Sequence, residues 1–348
     1  MAEQFDNETY ESYVEGMPQV PWQHYLIPLA LFIIVFVGVS GNSLVLFVIV
    51  KHRDMRTVTN YFVGNLAITD ISLLLICALP TALILCGWQM GEFICRSTSY
   101  MQSVTVQATC LTLTVMTIDR YNLIVHAVKS RNTRTTTRAA VFNIFIWIFS
   151  FLVHIPAFVG TRKVDSECKR KFKHDDGPLI HYVIGNFFLM YALPLTVIVF
   201  CYIKILVQVW RKTSEGTESA QAQARALRRK KKITKMVFIV VVLFAICWAP
   251  LHVVNTVVFV NLDSPAPQVW GIIHICTLLL AYTNSIVNPF VYAFATTSFK
   301  KYFHRVFAPC RCGGVGGEMM TSVSISMKTK SERLSVTQNG ASKDDSSI

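Results

Sequence analysis

Between Ser97 and Ile118 the chain carries no charged side chain, and then Asp119, Arg120 and Tyr121 arrive together. Twenty-two residues of helix reach about 33 Å, close to the thickness of a bilayer core. An acid and a base placed where such a span meets water can be held together or released, which is the chemistry of a switch. Taken alone, the tripeptide is equally a helix-end ion pair. The second pointer is Asp70, in Asn65-Leu-Ala-Ile-Thr-Asp70, the one acid deep inside an apolar block. Ionisable groups there are costly and mark function. Two readings of it stand: a neutral, hydrogen-bonded acid, or a carboxylate partnered by a cation. Asn42, Asn284, Ser285 and Asn288 offer oxygens at similar depth, a set that suits a small hard ion or ordered water. Nothing resembles a nucleophile with its base or a zinc-type Cys/His spacing, so the sequence does not read as an enzyme.

The elements that must position these groups are apolar blocks. Of 348 residues 53% are hydrophobic and 15% charged, and mean hydropathy is +0.44; a soluble chain carries nearer a quarter charged. Seven blocks, each long enough to cross a bilayer, run over Tyr25–Val50, Asn60–Cys86, Ile94–Val125, Ala139–Val159, Leu179–Trp210, Met236–Val260 and Val269–Thr296. The predicted fold is therefore an all-α membrane protein, a seven-helix bundle over residues 25–297. A short amphipathic eighth helix, Ser298–Phe307, should lie along the lipid surface, with Cys310 and Cys312 as palmitoylation candidates. Residues 1–24 are acidic and carry a glycosylation sequon at Asn7; residues 313–348 read as a disordered tail.

The net charge of +13 does not point to nucleic acid, because the bases gather between alternate blocks: Lys51, Arg53 and Arg56, then Lys129, Arg131, Arg134 and Arg138, then Arg225 to Lys235. The positive-inside rule makes those segments cytoplasmic and the N-terminus external, in a multi-pass plasma-membrane protein. The basic run Lys169-Arg-Lys171 falls on the other side, partly offset by four acids in its loop. Cys95 and Cys168 are the pair this topology leaves outside, where a disulfide forms. Prolines inside the blocks, Pro80, Pro156, Pro194, Pro250 and Pro289, each remove a backbone donor. Those at 194, 250 and 289 would make hinges, and Phe244 and Trp248 lie one turn apart just before Pro250.

Taken in order, Gly41-Asn42, Leu66-Ala67-x-x-Asp70, Trp88-x-x-Gly91-x-x-x-Cys95, Asp119-Arg120-Tyr121, Trp147, Pro194 with Tyr202, Cys247-Trp248-Ala249-Pro250 and Asn288-Pro289-Phe-Val-Tyr292 fall one set per block. On them residues 25–312 resemble a rhodopsin-like (class A) G-protein-coupled receptor. Ser103-Val-Thr-Val-Gln-Ala-Thr-Cys110, Gly87-Trp88 and Ala281-Tyr-Thr-Asn-Ser285 resemble the kisspeptin, galanin and allatostatin-A receptors, and Val-Gln-Ala-Thr-Cys leans toward the kisspeptin receptor.

The resemblance implies an amidated neuropeptide outside and a heterotrimeric G protein inside. A kisspeptin-like receptor would signal through Gq and phospholipase C; a galanin- or allatostatin-like one, the alternative, through Gi. Gln102 stands where amine receptors keep a carboxylate, and the seventh block has no lysine for a retinal Schiff base. Gln102, Asn186, His252, Asn255, His274 and Tyr282 are the expected peptide contacts. Asp119, Arg120, Tyr121, Tyr202, Phe244, Trp248, Pro250, Asn288, Pro289 and Tyr292 are the expected activation residues. Sodium is expected at Asp70, Thr109, Asn284, Ser285 and Asn288 as an allosteric ion; no other cofactor is implied. Lys230 stands where the family often places an acid to lock the arginine, so Asp119 is left as the main restraint on Arg120. Cys110 replaces a branched aliphatic residue. Arrestin after tail phosphorylation and a PDZ domain at Ser346-Ser347-Ile348 are further expected partners. A transporter or channel is the competing class, and apart from Asp70 the blocks offer little charge for a conduit.

Overall fold

A computed structural model describes residues 21–164, 167–170, 177–213, 220–260, 267–295 and 299–303. Asn7, Cys310, Cys312, Ile348 and the Lys230 side chain lie outside the described residues and side chains. The chain divides after Tyr302 into two compact units, and the helical bundle belongs to the first. Among the described residues seven helical spans succeed one another. The first is Pro21–Lys51. The second runs Val58–Leu73, through a π-turn at Leu74–Ala78, to Leu79–Leu85. The third is Glu92–Val125, and the fourth is Thr136–Val153 continued by Ile155–Gly160. The fifth is Gly177–Phe187, a π-turn at Phe188–Ala192, then Leu193–Thr213. The sixth is Ala220–Val260 and the seventh Pro267–Ala295; residues 299–303 are helical again.

Six of these are both long and apolar enough to cross a membrane; the third is the exception. Its 34 residues form the longest unbroken α-helix apart from the sixth span's, but its middle is rich in Thr, Ser and Gln. Its position explains how that is tolerated. It packs against the second, fourth, fifth and sixth spans, and every residue from Ser103 to Cys110 is buried, on all sides of the helix. The hydroxyls turn back on their own helix: Thr105 donates to the Met101 carbonyl at 2.7 Å, Thr112 to Ala108 at 2.6 Å, Thr117 to Leu113 at 2.8 Å. The fourth span does the reverse, exposing Val141, Phe142, Ile144, Phe145 and Ile148 to what must be lipid.

The prolines are accommodated in three ways. A proline ring collides with the carbonyl four residues back. For Pro80 and Pro194 that residue, Ile76 or Met190, sits inside a five-residue π-turn, whose wider ladder makes room. Pro250 and Pro289 instead lie inside unbroken helices, and Pro156 opens a new helix after a break at His154. The sixth span also begins earlier than the apolar pattern predicts. Its first turns take in the basic run Arg225 to Lys235 as helix, because Ala, Gln, Arg and Lys all have high helix propensity.

Close approach ties the first span to the seventh. A Cβ on Gly41 would meet Pro289 Cγ at 3.1 Å, so a side chain there would push the spans apart. Asn42 beside it donates to the carbonyls of Gly38 and Ser285, each at 2.9 Å. Spans two, three and four are joined by Trp147 Nε1 donating to Asn65 Oδ1 at 2.9 Å and Asn65 Nδ2 to Thr112 Oγ1 at 2.7 Å.

Candidate functional site

Three places along the bundle hold the residues singled out above. At one end, antiparallel strands β1 (Thr161–Val164) and β2 (Glu167–Arg170) pair with Lys163 opposite Cys168. Cys168 is disulfide-bonded to Cys95 at the start of the third span, Cα–Cα 5.7 Å. Next to this hairpin lies a cavity of about 450 Å³, in the range of small-ligand sites. Gln102, Asn186, His252, Asn255 and His274 line it. Tyr282 does not: it is fully buried in the core. Apolar periodicity gives the inward face of a span but not the depth at which a residue meets the cavity. No Asp, Glu, Lys or Arg is among the described lining residues.

The cavity reaches Trp248, whose ring stacks toward His252 (6.3 Å between centroids) and toward Phe244 one turn further in (6.0 Å). Tyr191 and Phe187 of the fifth span flank His252 at 5.0 and 6.2 Å. Tyr191 donates its hydroxyl to the Ala245 carbonyl at 3.0 Å. Aromatic rings thus connect the cavity to the helix that carries Pro250.

At mid-bundle Asp70 is buried. Ser285 Oγ donates to its Oδ1 and Asn288 Nδ2 to its Oδ2, each at 2.8 Å. No cationic side chain meets it among the described ion pairs. Thr109 is buried nearby in the fold but donates to Thr69 Oγ1 at 3.0 Å rather than to Asp70. The side-chain oxygens of Asn42, Asn284 and Asn288 are buried with no hydrogen-bond partner among the described residues. Asn288 bonds Asp70 directly and Asn42 bonds the Ser285 carbonyl, so one carboxylate and unpartnered carboxamide oxygens, the donor type a small hard cation takes, lie on the helices around it.

At the far end the balance is inverted. Asp119 Oδ1 accepts from Arg134 Nε at 2.7 Å, and its Oδ2 from Arg134 Nη2 at 3.1 Å and Arg120 Nη2 at 2.5 Å. Thr59 Oγ1 accepts from Arg120 Nη2 and, at 2.8 Å, from Arg134 Nη2. Arg120 is 1% exposed, and its Nε has no partner among the described residues. The expected acid–base pair is thus a four-residue cluster with two guanidiniums on one carboxylate. Arg134 and Thr59 were not singled out in the sequence. Only the basic loop after the third block signalled the former, and nothing signalled the latter.

Tyr121 meets His126, oxygen to Nε2 at 3.2 Å, away from this cluster. Tyr202 reaches the Thr234 carbonyl of the sixth span at 3.5 Å. Tyr292 is fully buried with its ring 6.0 Å from that of Phe299. At the same end Tyr302 donates to Asp54 Oδ2 at 2.6 Å and stacks on His52 at 3.8 Å. That hydroxyl, more than the nearby cations, holds the Asp54 carboxyl below its ordinary range.

Comparison with known proteins agrees with this architecture. The family model of the 7 transmembrane receptor (rhodopsin family) matches residues 41–292. The chain is 37% identical over 301 residues to G-protein coupled receptor 54 of Oreochromis niloticus, covering 81% of this chain and 78% of that one. It is 34% identical to the KiSS-1 receptor of Homo sapiens over 308 residues, covering 82% and 75%. It is 34% identical to galanin receptor type 1 of Mus musculus over 296 residues, 81% of each. With its seven spans, its buried arginine beside an acid and more than half its length matched, the chain belongs to the rhodopsin family of seven-transmembrane receptors.

Proposed function

We propose that the chain is a plasma-membrane receptor for an amidated neuropeptide of the kisspeptin kind, with its N-terminus outside, signalling through Gq and phospholipase C. The observation that carries the ligand class is the cavity: polar groups converge in it, and none of its described lining side chains is charged. A free carboxylate or an ammonium entering such a cavity would lose its hydration without gaining a partner of opposite sign. A terminal amide needs only neutral donors and acceptors, which Gln102, Asn186 and Asn255 supply. Similarity to the GPR54 and KiSS-1 receptors supports the same class. The nearly equal identity to a galanin receptor keeps Gi coupling as the second reading.

In this mechanism the peptide's end presses on His252 and Trp248, and the sixth span swings outward at Pro250. Ligand acts by favouring a conformer already accessible, as population shift requires. Arg120 then leaves Asp119 and helps to hold the C-terminal helix of the G protein, with Tyr202 and Tyr292 close by. Asp70 with Asn284, Ser285 and Asn288 would hold a sodium ion in the resting conformer, which neutralises a carboxylate that is otherwise expensive to bury. Inward movement of the seventh span at Pro289 would expel it.

The test is activation in transfected cells, read as calcium and as cyclic AMP, against a panel of amidated peptides and their free-acid counterparts. An amidated peptide should evoke calcium release, with the free acid at least about tenfold weaker, or 1.4 kcal/mol. Equal potency of amide and acid would remove the amide reading, and a cyclic-AMP response without calcium would select the galanin-like alternative.

A further inference from the structure

In the orientation proposed above, the loop after the fourth span runs against the charge rule that the rest of the chain obeys. Short loops kept outside a membrane are poor in Lys and Arg. This one holds Arg162, Lys163 and the run Lys169-Arg-Lys171 against Asp165 and Glu167. The strands β1 and β2 fold it into a hairpin, which Cys168 pins to the third span. Residues directly opposite in an antiparallel pair share a face, as do residues two apart on one strand. Lys163 lies opposite Cys168 and two residues after Thr161, so these three side chains share a face. Thr161 and Cys168 line the cavity. The Thr161 hydroxyl is tied to the bundle, donating to the Ala157 carbonyl at 2.7 Å with Ser99 Oγ 3.1 Å away. The strand leads outward from there, and Lys163 stands about 7 Å further along it, at the rim of the cavity rather than in its wall. Arg162, on the opposite face, acts with Arg96 on the exposed carboxylate of Glu92, which Arg96 already bonds. Among the described ion pairs neither Arg162 nor Lys163 has an acid.

We propose that Lys163 is a specificity-determining residue that pairs with an acidic side chain of the peptide, upstream of the amidated end held in the cavity. The proposal deepens the peptide reading above and rests on it. The two parts of the ligand are then read by different chemistry. The cavity, uncharged in its described lining, takes a neutral end. The rim, where described bases outnumber the one described acid, Glu92, takes a carboxylate that stays partly in water. A rim charge of this kind changes affinity a few-fold rather than by orders of magnitude. Its larger effect is on encounter: positive potential at the mouth of a cleft draws an acidic chain in and speeds association, and salt screens it. A peptide is favoured over a sulfated polysaccharide because Lys163 is continuous with the lining of a cavity that encloses a ligand end, which a polysaccharide has no need of.

The test uses membranes holding the full chain and pools of fluorescent heptapeptides. Each pool is randomised over its last three residues and carries Glu, Gln or Lys at all four before them, and each is made with an amide end and with a free-acid end. Retention of the amidated Glu pool should exceed that of the amidated Gln pool about 2- to 5-fold, the size of one partly exposed charge pair. The Lys pool should fall below both, and the advantage of Glu should shrink as salt is raised. It should vanish in Lys163→Gln and persist in Lys163→Arg, which keeps the charge. Equal retention of the Glu and Gln pools by the unaltered chain overturns the proposal, as does an advantage that survives Lys163→Gln. Heparin binding that Lys163→Gln abolishes, with no preference among the pools, also overturns it and assigns the base to a sulfated polysaccharide. A Glu preference equal in amidated and free-acid pools, and lost in Lys163→Gln, sinks the amide reading and leaves Lys163 standing. Retention of no pool overturns both.

Discussion

Asp70 and Asp119 are both carboxylates within helices of one bundle, and their surroundings are opposites. Asp70 is met by two neutral donors, with three carboxamide oxygens unpartnered in the same core. Asp119 is met by three guanidinium N–H groups, with a fourth, Arg120 Nε, left over in the same cluster. One site is short of positive charge and the other of negative. The first lies at mid-bundle, where only a small ion or a proton can supply what is missing. The second lies at the end of a span, where a loop residue, Arg134, has already entered. Both are balances that a ligand can tip, and their opposite signs make them separable by mutation.

The largest expected effect comes from removing Arg120. In Arg120→Ala the carboxylate of Asp119 keeps both bonds from Arg134, so no buried charge is orphaned and the bundle should survive. G-protein signalling should fall to background while peptide affinity stays within about threefold, less than 1 kcal/mol. Full signalling in that variant would break the assignment of Arg120 to coupling. Next comes the ion. Agonist affinity in sodium chloride, against the same concentration of a large organic cation, should be lower by about 5- to 30-fold, a coupling of 1–2 kcal/mol. Linkage makes the agonist weaken sodium by the same factor. The shift should vanish in Asp70→Asn; equal affinities in the two salts for the unaltered chain would leave Asp70 a protonated hydrogen-bonder. Third, Asp119→Asn leaves two guanidiniums facing a neutral amide. Basal signalling should rise by roughly fivefold, about 1 kcal/mol, and unchanged basal activity would show that Thr59 alone holds Arg120.

Much of this was legible in the sequence. The block lengths give seven spans, and the positions of Cys95 and Cys168 give the disulfide. Asp70 and Arg120 announce themselves because charge inside an apolar block is expensive. What was not legible depends on long-range meetings. Thr59 and Arg134 lie 61 and 14 residues from Arg120 in number, on segments whose composition is that of any polar loop, and nothing local marks the residue that will reach back. Tyr282 has the right periodicity for an inward face, yet depth along the span decides whether an inward residue meets a cavity or a packed core. The π-turns before Pro80 and Pro194 were hidden for a similar reason. A proline says that its helix must adjust, and whether it bends or widens is settled by neighbouring helices.

The smallest effect should come from Thr59, and it tests whether the cluster or the ion pair alone restrains Arg120. Thr59 lies in the first turn of the second span, 8% exposed, and its oxygen is shared by Arg120 and Arg134. Thr59→Val keeps the β-branched shape and removes the acceptor. Both guanidiniums retain Asp119, so the loss is one neutral acceptor apiece, and water at this end of the bundle can replace part of it. Arg120 gains a little freedom, and basal signalling should rise about twofold, which corresponds to roughly 0.4 kcal/mol, at the low end for one hydrogen bond. Thr59→Ser, which restores the oxygen with less bulk, should return it to normal. If valine changes nothing, the restraint lies in Asp119 alone. If serine behaves as valine does, the effect is one of packing against the missing methyl, and the hydroxyl has no share in holding Arg120.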